Sequence, residues 1–400
     1  MVDKRIKIGI VGGSVAGLAT ALFLKPCNCD ISIFERSPSE LAERGAGIAL
    51  DPEVLDPIGG VAGHHITGRI IIGADGRELW QTPIHKYMTA WSLVYTQLRS
   101  QVSSKNIQTG MRVTHVDSCD DQAVVYFADG STQSFDYVIG ADGLGSTVRR
   151  FVCPDFAPSY CGYVAIRGMV REQDLPSESE VLKRWADSPG FVNCFVKNNH
   201  VTAYWIPDLE SSTSQRTLNW MWYRNCPESE LEKFLTDRSG KGHRWSLPPG
   251  QMSEQNRTSL LHEIDQLLPE PFASAARATD TLFEQAIYKG VPDRFVRERV
   301  ALVGDAAHIA VPHIGAGVSL GIQDAMAMAD CFKNRGNHSD TFLSEWGEKR
   351  HVKTKADLDV AARIGMSLQF GNNDYLNWTP SDFDSWWKTM VAGHHLYFED

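Results

Sequence analysis

The sequence predicts an α/β protein built from two interleaved units, one around a parallel sheet and one around an antiparallel sheet. Three observations carry that reading. Apolar strand runs end in glycine-containing turns that open helices at three widely separated places. Short aromatic-rich runs separated by polar turns fill the middle of the chain. The 400 residues exceed what a single compact core supports.

The first strand, Ile6 to Val11, is apolar and β-branched and runs into Gly12, Gly13 and Ser14. A helical pattern follows at Leu18, Ala19, Ala21, Leu22 and Leu24. A second apolar run, Ile31 to Phe34, then ends in Glu35-Arg36. Strand, tight turn, helix, strand and acid make up the βαβ unit that binds dinucleotides. Gly12 permits the tight turn and Gly17 lets helix and strand pack closely. The free N–H groups at the helix start face a pyrophosphate, and Glu35 is placed to accept hydrogen bonds from a ribose. Ser14 stands where the middle glycine of the fingerprint belongs; serine is small, and its hydroxyl can itself bond phosphate.

Next, Arg44-Gly45-Ala46-Gly47 precedes the apolar Ile48 to Leu50, a pattern for backbone passing close to something flat. Residues 51–63, with Pro52 and Pro57, read as an irregular connector. Ile66 to Trp80 reads as a hairpin turning at Ala74 to Arg77, and Trp91 to Leu98 has helical spacing. Residues 110–140 read as a meander with a turn at Asp129-Gly130. Its last strand ends in Gly140-Ala141-Asp142-Gly143, where Asp142 serves either as a helix cap or as a ligand.

Runs at Tyr160 to Val170, Phe191 to Phe195, Val201 to Ile206 and Leu218 to Tyr223 predict an antiparallel sheet laid over a cavity. Residues 228–288 are mostly helical in pattern. A third strand then ends at Gly304-Asp305, followed by a glycine-rich loop and a small-residue helix from about Gly317. Asp305 is placed to bind a polyol chain, and the Gly315-x-Gly317 helix start to face the electronegative edge of a ring. A long helical pattern, Phe342 to Met366, leads into a tail containing Trp378, Trp386 and Trp387, a candidate contact surface for a homodimer.

Bulk properties exclude several classes. Hydrophobic content of 42% and charged content of 22% describe an ordinary globular protein. With a net charge of −10 and no basic stripe, nothing is available to release nucleic-acid counterions. The eight cysteines lack zinc spacing, and Cys27-Asn28-Cys29 is too tight for a usual metal pair, so reduced thiols and no metal site are expected. Met-Val-Asp-Lys-Arg leads straight into a core strand, leaving no room for a signal peptide. No apolar run approaches the roughly 18 residues that span a bilayer. The expected setting is the cytoplasm.

The three motifs occur in the order Gly-rich βαβ, Gly140-Ala141-Asp142-Gly143, and Gly304-Asp305-Ala306-Ala307-His308-x-x-x-Pro312. That order resembles the single-component (group A) FAD-dependent aromatic hydroxylases, the family of p-hydroxybenzoate and salicylate hydroxylase, over about residues 6–350. The Gly-Gly-Ser turn, Tyr160 to Gly168 and Pro312-His313 look most like its 2,6-dihydroxypyridine hydroxylase branch. The resemblance implies a Rossmann-type FAD-binding domain (residues 1–70, 92–155 and 289–350). Interleaved with it would be an antiparallel-sheet substrate domain (residues 71–91 and 156–288), followed by a C-terminal helical tail (351–400).

By the same resemblance, Gly12, Gly13, Ser14 and Gly17 would hold the FAD pyrophosphate, and Glu35 the adenosine ribose with Arg36 beside it. Arg44 to Ile48, with Gly47, would pass the flavin ring, and Val113 would offer backbone near the adenine. Asp142 and Gly143 would serve both FAD and the pyridine nucleotide. Asp305 would bind ribitol, while Pro312, Gly315 and Gly317 would line the isoalloxazine. Many relatives place an arginine where this chain has Trp91; Arg99, or backbone alone, would take over its phosphate contact.

The resemblance also implies the reaction. NADH or NADPH reduces the flavin, O2 gives a flavin C4a-hydroperoxide, and a small electron-rich ring such as a hydroxypyridine or hydroxybenzoate takes up oxygen. No second nucleotide fingerprint is present for NAD(P)H. A base that deprotonates the ring hydroxyl would add roughly 10²–10⁴-fold. Its candidates are His313 and His85, His308 fitting a structural role better. Arg167 would bind an anionic substrate group or a neighbouring carboxylate. Tyr204, Trp220 and Trp222, with Trp205 and Tyr223, are candidates for the cavity wall, although strand alternation turns about half of such residues away. A flavin-dependent oxidase or reductase on the same scaffold, and a non-catalytic flavin-binding protein, are the alternatives.

Overall fold

The computed structural model describes residues 5–41, 46–119, 121–208, 215–335 and 341–392. The chain divides into two compact units. The first comprises Met1–Val61, Trp91–Ser159 and Lys289–Asp359; the second comprises Ala62–Ala90, Tyr160–Tyr288 and Val360–Asp400. Two expected boundaries shift. Strand His64–Gly73 pairs with Glu78–Ala90 as one hairpin, so the hairpin stays whole in the second unit. Residues 351–400 do not form a separate tail, because helix Phe342–Phe370 runs unbroken past residue 351.

The first unit is built on a six-stranded sheet. Its order is Val296–Arg297, Val300–Leu302, Tyr137–Gly140, Ile6–Val11, Cys29–Glu35, Ile107–Thr109, parallel except for the first pair. Parallel strands covered on both faces are apolar throughout, and Ile8, Ile10, Ile33, Val138, Ile139 and Leu302 are wholly buried here. Helices Val15–Leu24 and Gly317–Lys333 belong to this unit, together with a small antiparallel sheet of Val113–Ser118, Ala123–Phe127 and Thr132–Phe135. Phe127 and Phe135 of that sheet set their rings edge-on against Phe34, at 4.8 and 5.7 Å.

Three backbone hydrogen bonds step across the carboxyl ends of the parallel strands. Gly12 N–H donates to Phe34 O at 2.9 Å, Ala141 N–H to Val11 O at 2.8 Å, and Val303 N–H to Gly140 O at 2.9 Å. They bring the three motif loops side by side. Side chains would break this packing. A Cβ on Gly12 (φ +110°) would lie 2.3 Å from Ala141 O, and one on Gly17 would lie 2.0 Å from Gly12 O.

The second unit holds a larger sheet. Strand Ser246–Leu247 lies at one edge, followed by Phe283–Lys289, Ser159–Arg171, Arg216–Asn225, Asn199–Pro207, Gly190–Val196, His64–Gly73 and Glu78–Ala90. One face carries Val164, Ile166, Val201, Leu218, Trp220 and Trp222, packed with helices Glu180–Asp187, Glu254–Leu267 and Glu270–Arg277 into a single apolar core. Alternation sends Arg167, Thr202, Tyr204, Asn219 and Tyr223 to the other face. The tail tryptophans do not form an exposed contact surface for a homodimer. Trp386 and Trp387 are buried against the unit's own rings, with Trp386 edge-on to Phe195 at 5.7 Å. No helix among the described residues is long and apolar enough to cross a membrane.

Glu284 sits on the apolar face of this sheet, on the same side as Ala286, and is 3% exposed. Its Oε2 has no hydrogen-bond partner among the described residues. Burial pushes its carboxyl from 4.5 up to about 8, against a smaller opposite pull from Arg224. Between those values the folded chain holds a proton that the unfolded chain releases. Stability from this group is therefore intact below pH 4.5 and is lost as the pH rises toward 8, at about 1.4 kcal/mol per unit. Glu284→Gln should melt a few degrees above the parent at pH 9, with the gap closing below pH 5, as followed by circular dichroism. An equal gap at both pH values would contradict the assignment.

Candidate active site

The three loops border a cleft of about 420 Å³ within the first unit. Gly12, Ser14, Glu35 and Arg36 line one part of it. Val113, Asp142, Gly143, Asp305 and Gly317 line the rest. Gly13 and Gly17 lie behind the lining and fix its shape. Arg44 falls outside the described residues.

Ser14 precedes helix Val15–Leu24 in extended backbone (φ −87°) and makes no side-chain cap, and the first turn contains no acid. The helix's N–H donors and its positive end are thus left open to the cleft. The start of helix Gly317–Lys333 is likewise uncapped and without an acid. Glu35 Oε2 accepts from Gly13 N–H and Oε1 from Ser37 N–H, both at 2.8 Å, so the carboxylate is tied to the glycine turn at the border of the cleft.

Asp142 caps the start of the following helix. Its Oδ1 accepts from the Ser146 hydroxyl, and its Oδ2 accepts from Thr147 N–H at 2.6 Å and Val148 N–H at 3.2 Å, while the residue borders the cleft. Burial pushes its carboxyl up, the hydrogen bonds opposing that shift. Arg149, which the sequence reading left without a role, locks the second motif to the third. Nη1 donates to Asp305 O and Ala306 O, each at 3.0 Å, and Nη2 to Leu144 O. A late arginine in the helix after Gly-x-Asp-Gly was its only sequence signal.

The segments expected at the flavin ring also meet. A Cβ on Gly315 (φ +60°) would lie 2.9 Å from Ala49 Cβ in strand Gly47–Leu50. Pro312 opens the turn that ends at Gly315. Trp91 borders the cleft, its ring stacked on Tyr95 at 5.3 Å. Arg99 does not replace the missing arginine, for it is bound to Glu40 at 3.3 Å, Val102 O at 3.2 Å and Ser104 Oγ at 3.1 Å. Among the described residues, the arginines that border the cleft are Arg36 and Arg112.

The histidine candidates separate. His313 lies in the Pro312 turn, and desolvation pushes its pKa down to about 3. The residue is half-buried and does not border the cleft. His85 is exposed on strand Glu78–Ala90, between buried Ile84 and Lys86, and is absent from the cleft. In the second unit, Trp220 and Trp222 turn away from Arg167 and Tyr204. Trp220 Nε1 bonds Thr279 Oγ1 at 2.9 Å and Trp222 Nε1 bonds Asn199 Oδ1 at 3.0 Å, so both are core residues rather than cavity wall. Among the described residues no cluster of three or more His, Cys, Asp or Glu could hold a metal.

Comparison with known proteins agrees with this geometry. A family model described as FAD binding domain-like matches residues 160–289. The chain is 26% identical to 2,6-dihydroxypyridine 3-monooxygenase of Paenarthrobacter nicotinovorans, over 92% of each chain. It is 28% identical to 3-amino-4-hydroxybenzoate 2-monooxygenase of Streptomyces cremeus, over 91% of this chain and 87% of that one. The solved 2,6-dihydroxypyridine-3-hydroxylase from Arthrobacter nicotinovorans superposes with a TM-score of 0.85 at 26% identity, over 94% of this chain and 95% of that one. Fold and cleft define a flavoprotein monooxygenase. The chain is similar to the FAD-dependent aromatic hydroxylases over nearly its whole length and takes FAD as its cofactor.

The cleft fits that cofactor, with two uncapped helix starts for the diphosphate and ring edge and two carboxylates for the sugar and polyol hydroxyls. Asp305→Ala should purify with little bound flavin, and Arg99→Ala with the parent's content, judged by the ratio of absorbance at the flavin and protein bands. Full occupancy in Asp305→Ala would overturn the ribitol assignment.

Proposed function

We propose that this hydroxylase oxidises a small hydroxylated ring of the hydroxypyridine or hydroxybenzoate class, with NADH or NADPH and O2 as co-substrates, and that the ring binds to the Arg167 face of the second unit's sheet. The observation that carries this reading is the grouping of polar side chains on that face. Arg167 pairs in register with Met221, and Ala165 with Tyr223. Tyr204 pairs with Asn219 one row along. Tyr204, Asn219 and Tyr223 are all buried. The curated relatives act on 2,6-dihydroxypyridine and 3-amino-4-hydroxybenzoate, both electron-rich rings bearing hydroxyls.

When bound, the reduced cofactor supplies an electrophilic oxygen atom drawn from O2. The side chains of this face prepare the ring to receive it. The Arg167 guanidinium favours the ionised form of a ring hydroxyl or carboxyl, and ionisation makes the ring the better nucleophile. Tyr223 is held protonated, its phenol pushed up to about 12 by burial despite the pull of Arg167. Burial raises the Tyr204 phenol in the same way. Both phenols keep their protons, and the Tyr223 hydroxyl donates to Met221 Sδ at 3.5 Å.

A screen of purified holoprotein against hydroxypyridines, hydroxybenzoates and hydroxynicotinates tests the reading. One member should accelerate NAD(P)H oxidation and carry label from isotopic O2 into its ring. Acceleration that yields only hydrogen peroxide would indicate an oxidase or reductase instead. With that substrate, Arg167→Met should raise KM by about tenfold or more, the loss of one charge-assisted hydrogen bond. An unchanged KM would remove Arg167 from the ring site.

A further inference from the structure

A carboxylate, an imidazole and a guanidinium are buried together behind the turn that carries Asp305. Asp324, on helix Gly317–Lys333, and His308 are wholly buried, and Arg350 is 6% exposed. Asp324 Oδ2 accepts from Gly304 N–H at 2.9 Å and from His308 Nε2 at 2.8 Å. Its Oδ1 accepts from Arg350 Nε at 2.7 Å. Burial opposes ionisation of Asp324, but His308, Arg350 and the Gly304 N–H hold its carboxyl below the ordinary range. An ionised carboxylate only accepts, so His308 carries its proton on Nε2. His308 Nδ1 has no partner among the described residues, and a second proton there would be buried without an acceptor.

None of the three borders the cleft. What they share is the turn. Gly304 has φ +56°, a conformation that favours glycine, and the next residue, Asp305, lines the cleft. Arg149 grips the far side of the same turn through Asp305 O and Ala306 O. A buried ion pair with an added imidazole costs desolvation that one neutral acceptor for Gly304 N–H would avoid. Against that cost, the turn is held from both sides by hydrogen bonds from Arg149 and to Asp324.

We infer that Asp324, His308 and Arg350 are positioning residues for Asp305: they set FAD affinity through the Gly304–Asp305 turn without touching the cofactor. His308 is the point of access for a test, because removing it leaves Asp324 paired with Arg350 and Gly304.

The measurement is the FAD dissociation constant of apoprotein, read by quenching of flavin fluorescence, with the apoprotein melting temperature alongside. His308→Leu should weaken FAD about tenfold, the loss of one buried hydrogen bond. His308→Gln, which restores a donor to Asp324, should return affinity to within about threefold of the parent. In an Asp305→Ala background, His308→Leu should add less than about twofold, because the two act through one contact. Should His308→Leu fail to fold, Arg350→Lys, which keeps the charge but loses the planar fork, replaces it in the same cycle. Unchanged affinity in the single variant overturns the inference. So does independent multiplication of the two losses, or a glutamine variant no better than leucine.

Discussion

The site depends on the register of four parallel strands. Because Ile6–Val11 pairs with Cys29–Glu35 on one side and Tyr137–Gly140 on the other, and the latter with Val300–Leu302, the strands all finish at the same edge. Gly12, Ala141 and Val303 each donate their first N–H beyond the strand to the neighbouring strand's last carbonyl region. Loops nearly 300 residues apart in sequence thereby become neighbours across one cleft. Ligands of open parallel sheets bind at this carboxyl edge because the helix starts, with their unpaired donors, gather there.

Backbone register places the loops, and polar side chains hold their shape. Glu35 ties the glycine turn to the second strand, Arg149 ties the second motif to the third, and Asp324 ties the third motif to its following helix. Each is satisfied at both ends, the condition under which a polar group in a dry interior adds rigidity rather than cost. Preorganisation matters for a large, flexible cofactor, whose ordering must otherwise be paid from binding energy.

Much of this was legible in the chain. Glycines at turns and close approaches, β-branched runs and strand-end acids are local signals, and the cleft lining follows them from Gly12 to Gly317. Two things were not local. Which face of a strand a residue takes depends on the register of its neighbours, so Trp220 and Trp222, spaced like Arg167 and Tyr204 within aromatic runs, belong to the helix-packed side. Which residue receives a charged side chain is also set in three dimensions. Arg99 goes to Glu40 rather than to the cleft, and Arg149 reaches two carbonyls more than 150 residues away. His313 reads in sequence as a candidate base because it follows the proline expected beside the flavin, whereas the desolvation that lowers its pKa arises only in the folded turn.

The central claim is that three strand-end loops converge on one FAD. A crystal structure of the FAD-loaded protein tests it most directly. The account predicts density running from the adenosine ribose at Glu35, across the diphosphate at Ser14, to the ribityl chain at Asp305. Density for the cofactor anywhere else, or a diphosphate that leaves either helix start unengaged, would contradict it.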